Sequence, residues 1–258
     1  MYQADPPRSP QESLPTMYDL PSEEVGDPGL PDEFHVFQPR LLEATCLLPN
    51  YPPNEVFTAS DPNLYYDGRH PLWYKRPDWF LVLGVSRAQS QQDLRFSYVI
   101  WQEVVVPFLV VELLSPTTEL DDLGQTLREV NQPSTKWQVY EQLLRIPYYA
   151  VFDRYQSRFR MFRLVATCYQ EMEISDQKFW FDEIQLGLGV WSGLYQNIEG
   201  LWLRWHDALG NWIPLSEERF EQEKQRAEQE RQRADREKER ADQLAKKLRE
   251  LGLASDRV

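Results

Sequence analysis

The sequence predicts an α/β or α+β fold in which helices flank a mixed β-sheet, followed by a long charged C-terminal helix. Three observations favour this fold: compact apolar runs typical of strands, an amphipathic stretch between two of them, and a C-terminal segment rich in Glu, Gln, Arg and Lys. The 258 residues suffice for one sizeable core and an appendage. We therefore expect a proline-rich extended arm over residues 1–30, a globular domain over 31–215 and a charged helical tail over 216–258.

The first half of the globular region carries three strand signals after a short helix or turn at residues 31–42. Trp79–Leu83 is a compact apolar run, and Ser97–Trp101 is a second. The stretch Val104–Leu114 is apolar at successive positions, which is typical of a strand buried on both faces.

A helix is predicted in the second part of residues 121–145, where Trp137, Tyr140 and Leu144 recur at helical spacing. A hairpin follows, with strands at Tyr148–Phe152 and Phe159–Val165 around a polar turn. Further strands are predicted at 179–184 and 201–205.

The tail repeats with a period of seven residues, which predicts a long helix. Ala227, Ala234, Ala241 and Leu248 fall on one seam, and only the last two heptads have apolar residues at both seam positions. Two interpretations remain equally open: a solvated single helix, or self-association through those last heptads as a coiled coil that forms a homodimer.

Charge and composition exclude several classes of protein. The formal charge is −13, and the first 215 residues hold 29 acids against 16 bases, so a general polyphosphate-binding surface is disfavoured. A locally acidic, metal-filled cleft remains open. The longest apolar stretch has eight residues and contains a proline, too short to span a bilayer, and two cysteines give no disulfide framework. We expect a cytoplasmic protein without membrane attachment.

Carboxylates stand out as candidate functional groups, because phosphate-binding loops, nucleophile elbows and histidine metal motifs are all missing from the sequence. Glu112 lies at the end of the most apolar stretch, where an unpaired carboxylate would be costly. Asp78 precedes the run at 79–83, and Lys136 lies on the predicted helix. Each alone has an ordinary explanation: a strand end, a strand-entry turn and a surface lysine. Together the two acids could hold Mg²⁺, and the lysine could orient or deprotonate an attacking water or stabilise charge on a phosphoryl group.

Five sequence blocks resemble a restriction endonuclease family called Uma-two, in the branch expanded in cyanobacteria. They occur in the family's order and cover roughly residues 20–214. The blocks are Arg76–Val85, Ser97–Glu103, Pro107–Thr118, Lys136–Tyr140 and Arg145–Asp153.

The resemblance implies a restriction-endonuclease-like core with a variant Pro-Asp…(Asp/Glu)-x-Lys site. Asp78 and Glu112 would be the metal ligands for Mg²⁺ or Mn²⁺, and Lys136 would be the catalytic lysine, supplied by the following helix. Glu103 is a weaker candidate for metal support. The position after Pro107 carries Asp in many relatives, whereas here it is Phe108.

Three functions are therefore weighed. The first is a metal-dependent endonuclease acting on nucleic acid, with DNA as the expected substrate. The second is a catalytically weak or inactive nuclease-fold scaffold assembled through its helical tail, and the third is a small-molecule phosphodiesterase using the same metal pair.

Overall fold

The computed structural model describes residues 9, 13–16, 19, 33–114, 122–125 and 133–250. The chain divides into two compact units, Met1–Ile213 and Pro214–Val258. Most of the extended arm expected over residues 1–30, and the last eight residues of the tail, lie outside the described residues.

A six-stranded mixed sheet forms the centre of the first unit. Its strands are β1 Val56–Ala59, β4 Trp79–Leu83, β6 Leu109–Leu113, β7 Tyr148–Asp153, β8 Arg158–Val165 and β9 Cys168–Glu171. They lie in the spatial order β1-β4-β6-β7-β8-β9. Strands β6 and β7 pair in parallel, and every other neighbouring pair is antiparallel.

Two three-stranded sheets complete the strands described in the first unit. One joins β2 Leu64–Tyr65, β3 Tyr74–Lys75 and β5 Tyr98–Val99. The other joins β10 Lys178–Phe181, β11 Leu186–Tyr195 and β12 Ile198–His206.

The helices described in this unit are α1 Glu33–Thr45, the short α2 Ile100–Glu103 and α3 Lys136–Gln138, which continues as a π-helical turn over Val139–Leu143. Short 3₁₀ turns occupy Pro53–Glu55 and Gln91–Asp93. The connection from β6 to β7 includes α3, as a parallel pair requires a crossover. The fold is therefore a mixed α/β arrangement consistent with a restriction-endonuclease-like core, as predicted.

Strand β6 is shorter than its apolar sequence predicts. It begins at Leu109, whereas the sequence suggested a strand from Val104. Val104 instead ends α2 in the left-handed region, with φ of 61°, and its N–H donates to the carbonyl of Ile100. Pro107 has no N–H to give to a sheet. The strand predicted at Ser97–Trp101 is also shorter than expected. It has only two residues, because the chain turns into α2 at Ile100.

The other strand predictions are confirmed, with shifts at their ends. The run Trp79–Leu83 is β4 as predicted, and the expected hairpin is formed by β7 and β8. The strand predicted over 179–184 ends at Phe181, and the one predicted over 201–205 lies inside the longer β12.

The main core lies on one face of the large sheet. Val110, Tyr149, Val151 and Phe162 pack there with Tyr140 from the π-helical turn. Helix α1 packs near the other face, where the ring of Phe34 contacts that of Phe152. The sheet therefore has a helix beside each face, and the side chains facing α3 include that of Glu112.

In the described part of the second unit, helix α4 spans Ser216–Glu250, as the heptads predict. Acidic residues lie in its first turn and basic residues in its last, which suits the helix dipole. Its described side chains are exposed almost throughout. None of the helices described in the chain is long and apolar enough to cross a bilayer.

Candidate active site at the end of strand β6

The three residues singled out from the sequence meet at one end of the large sheet. Asp78 immediately precedes β4, Glu112 lies on β6, and these strands are neighbours with Trp79 paired to Val111. Lys136 begins α3, which packs over the same face.

Asp78 and Glu112 each accept a hydrogen bond from the backbone that carries the other. The N–H of Asp78 donates to Oε2 of Glu112 at 3.3 Å, and the N–H of Leu113 donates to Oδ2 of Asp78 at 2.6 Å. This exchange fixes both carboxylates against the strand pair. No described residue donates to the second oxygen of Asp78, and that side chain keeps contact with solvent.

Glu112 is fully buried, and two side chains of α3 and its π-helical turn satisfy it. The Lys136 ammonium donates to Oε2 at 2.8 Å, and the Tyr140 hydroxyl donates to Oε1 at 2.8 Å. A capping box between Thr135 and Gln138 fixes the start of the helix that presents both groups. The buried carboxylate is thus paired at both oxygens, as a buried charge must be.

Asp122 is a fourth member of the site, and it is not among the residues predicted from the sequence. Its side chain is buried, its Oδ1 lies 3.2 Å from the Lys136 amine, and its backbone carbonyl accepts a hydrogen bond from the Tyr149 hydroxyl. The ammonium of Lys136 therefore bridges two buried carboxylates. No sequence pattern indicates this role, because Asp122 stands in a polar stretch where acids are ordinary.

Asp61 and Arg76 border the site on the side of Asp78. Arg76 Nη2 pairs with Asp61 Oδ2 at 2.9 Å, and both side chains are partly exposed. Burial raises the pKa of Asp61, Arg76 opposes that rise, and the charge of Asp78 adds to it. Four carboxylates thus surround Lys136 and Arg76, a formal excess of two negative charges.

The pKa values of the central pair define the state of the lysine. Burial raises the pKa of Glu112, while Lys136 opposes that rise. Burial alone would lower the pKa of Lys136, but the carboxylates of Asp122, Glu112 and Asp78 together raise it well above its usual value. The amine therefore stays an ammonium ion. It is suited to stabilising negative charge and unsuited to taking a proton from water.

The donor set fits a hard divalent cation in its chemistry. Mg²⁺ binds through oxygen ligands, commonly one or two carboxylates completed by water. Asp78 and Glu112 are the acids that would hold it, and the free oxygen of Asp78 offers such a ligand, whereas Glu112 would have to share Oε2 with Lys136. Within the described ranges, no group of three or more His, Cys, Asp and Glu side chains is arranged to hold a metal ion.

Two residues weighed from the sequence take no part in this centre. Glu103 was a weaker candidate for metal support, but its carboxylate is engaged by Arg95 through two hydrogen bonds, at 2.6 and 3.1 Å. Phe108, which stands where the family resemblance implies an Asp, packs its ring against those of Tyr148 and Phe181. It contributes packing and no oxygen ligand.

Comparison with known proteins identifies the family. The model of the Uma2 (Uma-two) family, described as "putative restriction endonuclease", matches residues 13–193. No curated protein matches the sequence. Because the match spans more than half of the chain, the chain belongs to the Uma2 family.

Proposed function

We propose that this member of the Uma2 family is a Mg²⁺- or Mn²⁺-dependent endonuclease that hydrolyses phosphodiester bonds in DNA. The family supports a nuclease-like function acting on nucleic acid. The observation that carries the proposal further is the contact at 2.8 Å between the Lys136 ammonium and the buried Glu112 carboxylate, with the backbone of Asp78 bonded to the same oxygen.

In this proposal each residue has a separate task. Asp78 and Glu112 hold the cation, which when bound would polarise the phosphoryl group and lower the pKa of a water. Lys136, kept protonated by its acidic neighbours, stabilises the negative charge that develops on the phosphoryl oxygens. Tyr140 fixes the Glu112 carboxylate through Oε1 and leaves Oε2 to face the lysine.

Substitution of the two acids tests the proposal directly. Nicking of supercoiled plasmid in Mg²⁺ or Mn²⁺ should be abolished in Asp78→Ala and in Glu112→Ala. The control is Glu103→Ala, which removes a carboxylate already neutralised by Arg95 and should keep full cutting. Circular dichroism establishes that each variant is folded, and Glu112→Gln, which keeps the size of the side chain, serves if Glu112→Ala unfolds. Retained cutting in a folded variant of either acid would reject the assignment.

A nuclease-fold scaffold without catalysis is the second candidate, and Phe108 favours it. An aromatic ring packed against Tyr148 and Phe181 takes a position that often carries an acid in relatives, and the globular region is acidic. Calorimetry with Mn²⁺ separates the two candidates. Heat of binding that disappears in Asp78→Ala supports the endonuclease, and the absence of any heat supports the scaffold.

We also propose that the protein acts in the cytoplasm as a homodimer assembled through α4. Both cysteines, Cys46 and Cys168, are free, which suits a reducing compartment. Leu244 and Leu248 are exposed on the helix and offer apolar contact area to a second copy.

A further inference from the structure

A polar pocket opens beside the candidate site, with a volume of about 160 Å³. Its polar lining comes from Gln125, Asp153, Gln156, Arg158 and Arg160. The apolar part of its wall is formed by Leu114, Leu123 and Val151. Two of its lining residues are close in sequence to the acids of the site, since Leu114 follows Glu112 by two positions and Leu123 follows Asp122.

The pairing register places the pocket on the same face of the sheet as Glu112. Glu112 pairs with Val151 on β7, and Val151 pairs with Arg160 on β8, so the three residues form one row across the sheet. Residues in one row point to the same face, and two strand spacings separate the backbones of Glu112 and Arg160 by about 10 Å. Arg158, two residues earlier on β8, lies on that face as well.

The two arginines differ in how far they are already neutralised. Arg160 makes two hydrogen bonds to Glu171, at 2.8 and 2.7 Å, and lies over the ring of Phe162. Arg158 is exposed, and the ion pairs of the described residues do not include it, although, alongside the hydrogen bonds from Arg160, its charge helps to lower the pKa of Glu171. Arg158 therefore supplies the available positive charge of the pocket, while Arg160 is a fixed part of its wall.

The acid that lines the pocket is held in a turn. Oδ1 of Asp153 accepts hydrogen bonds from the N–H groups of Tyr155 and Gln156, at 2.8 and 3.1 Å. These bonds fix the loop that carries Gln156 and Arg158. The pocket thus combines an arginine, two exposed amide side chains and an apolar wall within an otherwise acidic globular region.

We propose that this pocket binds a backbone phosphate of the nucleic acid next to the phosphodiester that is cut. Arg158 pairs with the phosphate, and Gln125 and Gln156 offer amide donors to it. The inference rests on the proposed nuclease function and adds a substrate contact to it. It also explains how an acidic protein can hold a polyanion, because a guanidinium is a good phosphate partner and Arg158 lies on the same face of the sheet as Glu112.

Binding of DNA by variants of strand β8 tests the proposal. The affinity of the full chain for a fluorescent DNA duplex is measured by titration at several salt concentrations. The buffer contains Ca²⁺, a hard cation that binds to oxygen ligands. Arg158→Gln should weaken binding about tenfold, the effect of losing one hydrogen bond to a charged group. The plot of log affinity against log salt concentration has a negative slope, which should become less steep by about 0.9, the value for one phosphate contact.

Arg163→Gln is the matched control. Arg163 is an exposed arginine on the same strand, five positions along and hence on the opposite face, where it pairs with Glu183. Its substitution should leave the affinity and the salt slope unchanged. Equal losses in both variants would overturn the proposal, because they would reflect net charge alone, and so would unchanged affinity in Arg158→Gln.

Two further outcomes separate this inference from the nuclease function. In the first, the wild type cuts plasmid but Arg158→Gln binds the duplex as tightly as the wild type. This result rejects the phosphate site in the pocket and is compatible with the nuclease function. Arg158-dependent binding of the duplex without cutting in any metal upholds the pocket and rejects the nuclease. Arg158-dependent binding of inorganic phosphate, with no affinity for the duplex, would overturn the assignment to nucleic acid in favour of a small phosphate compound.

Discussion

The candidate site and the C-terminal helix use the same kinds of charged residue in opposite ways. Lys136 pairs with Glu112 at 2.8 Å, with the lysine side chain 18% exposed and the glutamate fully buried. Lys224 pairs with Glu221 on α4 at 3.7 Å, and both side chains are more than half exposed. The first pair is held by a sheet, a capped helix and a tyrosine, whereas the second is held only by helical spacing.

The difference teaches that burial decides what an ion pair can do. A buried carboxylate must be paired or neutralised, so Glu112 and Asp122 hold Lys136 in place and raise its pKa. An exposed pair is screened by water and contributes little. The sheet therefore holds its charges at fixed positions, whereas the charges of the helix stay solvated and give modest local support.

Removing the buried ammonium is expected to give the largest effect. Lys136→Met leaves Glu112 and Asp122 buried without their cation and should lower the free energy of unfolding by about 3 kcal/mol. Cleavage should be lost as well. Lys224→Met in the tail should change stability by only a few tenths of a kcal/mol. Urea denaturation of the wild type and both variants measures the difference.

The loss of stability in Lys136→Met should depend on pH because of Glu112. Without the ammonium that opposes it, burial raises the pKa of Glu112 further above its ordinary value of 4.5. The folded state then binds a proton more tightly than the unfolded state, so the loss should be smallest below pH 4.5 and should grow as the pH rises through the folded pKa. A loss that is the same at every pH would contradict a buried, charged Glu112.

Removal of the tyrosine hydroxyl is expected to have a smaller effect. Tyr140→Phe takes one donor from Glu112 and should cost about 1–3 kcal/mol of stability, since a buried acceptor is left unsatisfied. If Tyr140 positions the carboxylate, kcat for plasmid cutting should fall about tenfold with KM unchanged. Phe at this position keeps the ring packing against Tyr149.

Tyr98→Phe provides the comparison for that variant. Tyr98 is also fully buried, but its hydroxyl donates to the carbonyl of Val105, away from Glu112. Stability should fall in both variants, whereas kcat should fall only in Tyr140→Phe. A kcat that is equally reduced in both would mean that the hydroxyl of Tyr140 acts through the fold alone.

The sequence predicts the strands well where hydrophobicity and hydrogen bonding agree. Trp79–Leu83 is apolar and contains no proline, and it forms β4 over those residues. Val104–Leu114 is equally apolar, yet β6 starts only at Leu109, because a left-handed residue and a proline interrupt the pairing. Hydrophobicity locates the buried segment, and the backbone decides where the sheet begins.

The site could be predicted only in part. A buried acid in an apolar strand is unusual enough to single out Glu112, whereas the catalytic role of Lys136 rests on the family resemblance, since a lysine on a helix is ordinary. Asp122 gave no signal, because its role depends on a long-range contact with Lys136. The geometry at Tyr140 also depends on a π-helical turn, in which the N–H of Leu144 bonds to Val139, and a regular helical pattern does not show this.

Substitutions in the tail are expected to have the smallest effect on the globular unit. An apolar and a charged residue can be compared there on one helix. The full chain should sediment as a dimer, and Leu248→Asp should shift it to a monomer by placing a charge on the proposed seam. Arg233→Ala, which breaks an exposed pair with Glu237, should leave the dimer intact and lower helicity slightly. Neither variant should change the unfolding free energy of the globular unit. A wild type that remains monomeric at every concentration would leave α4 as a solvated helix, and its charges would then serve solubility without assembly.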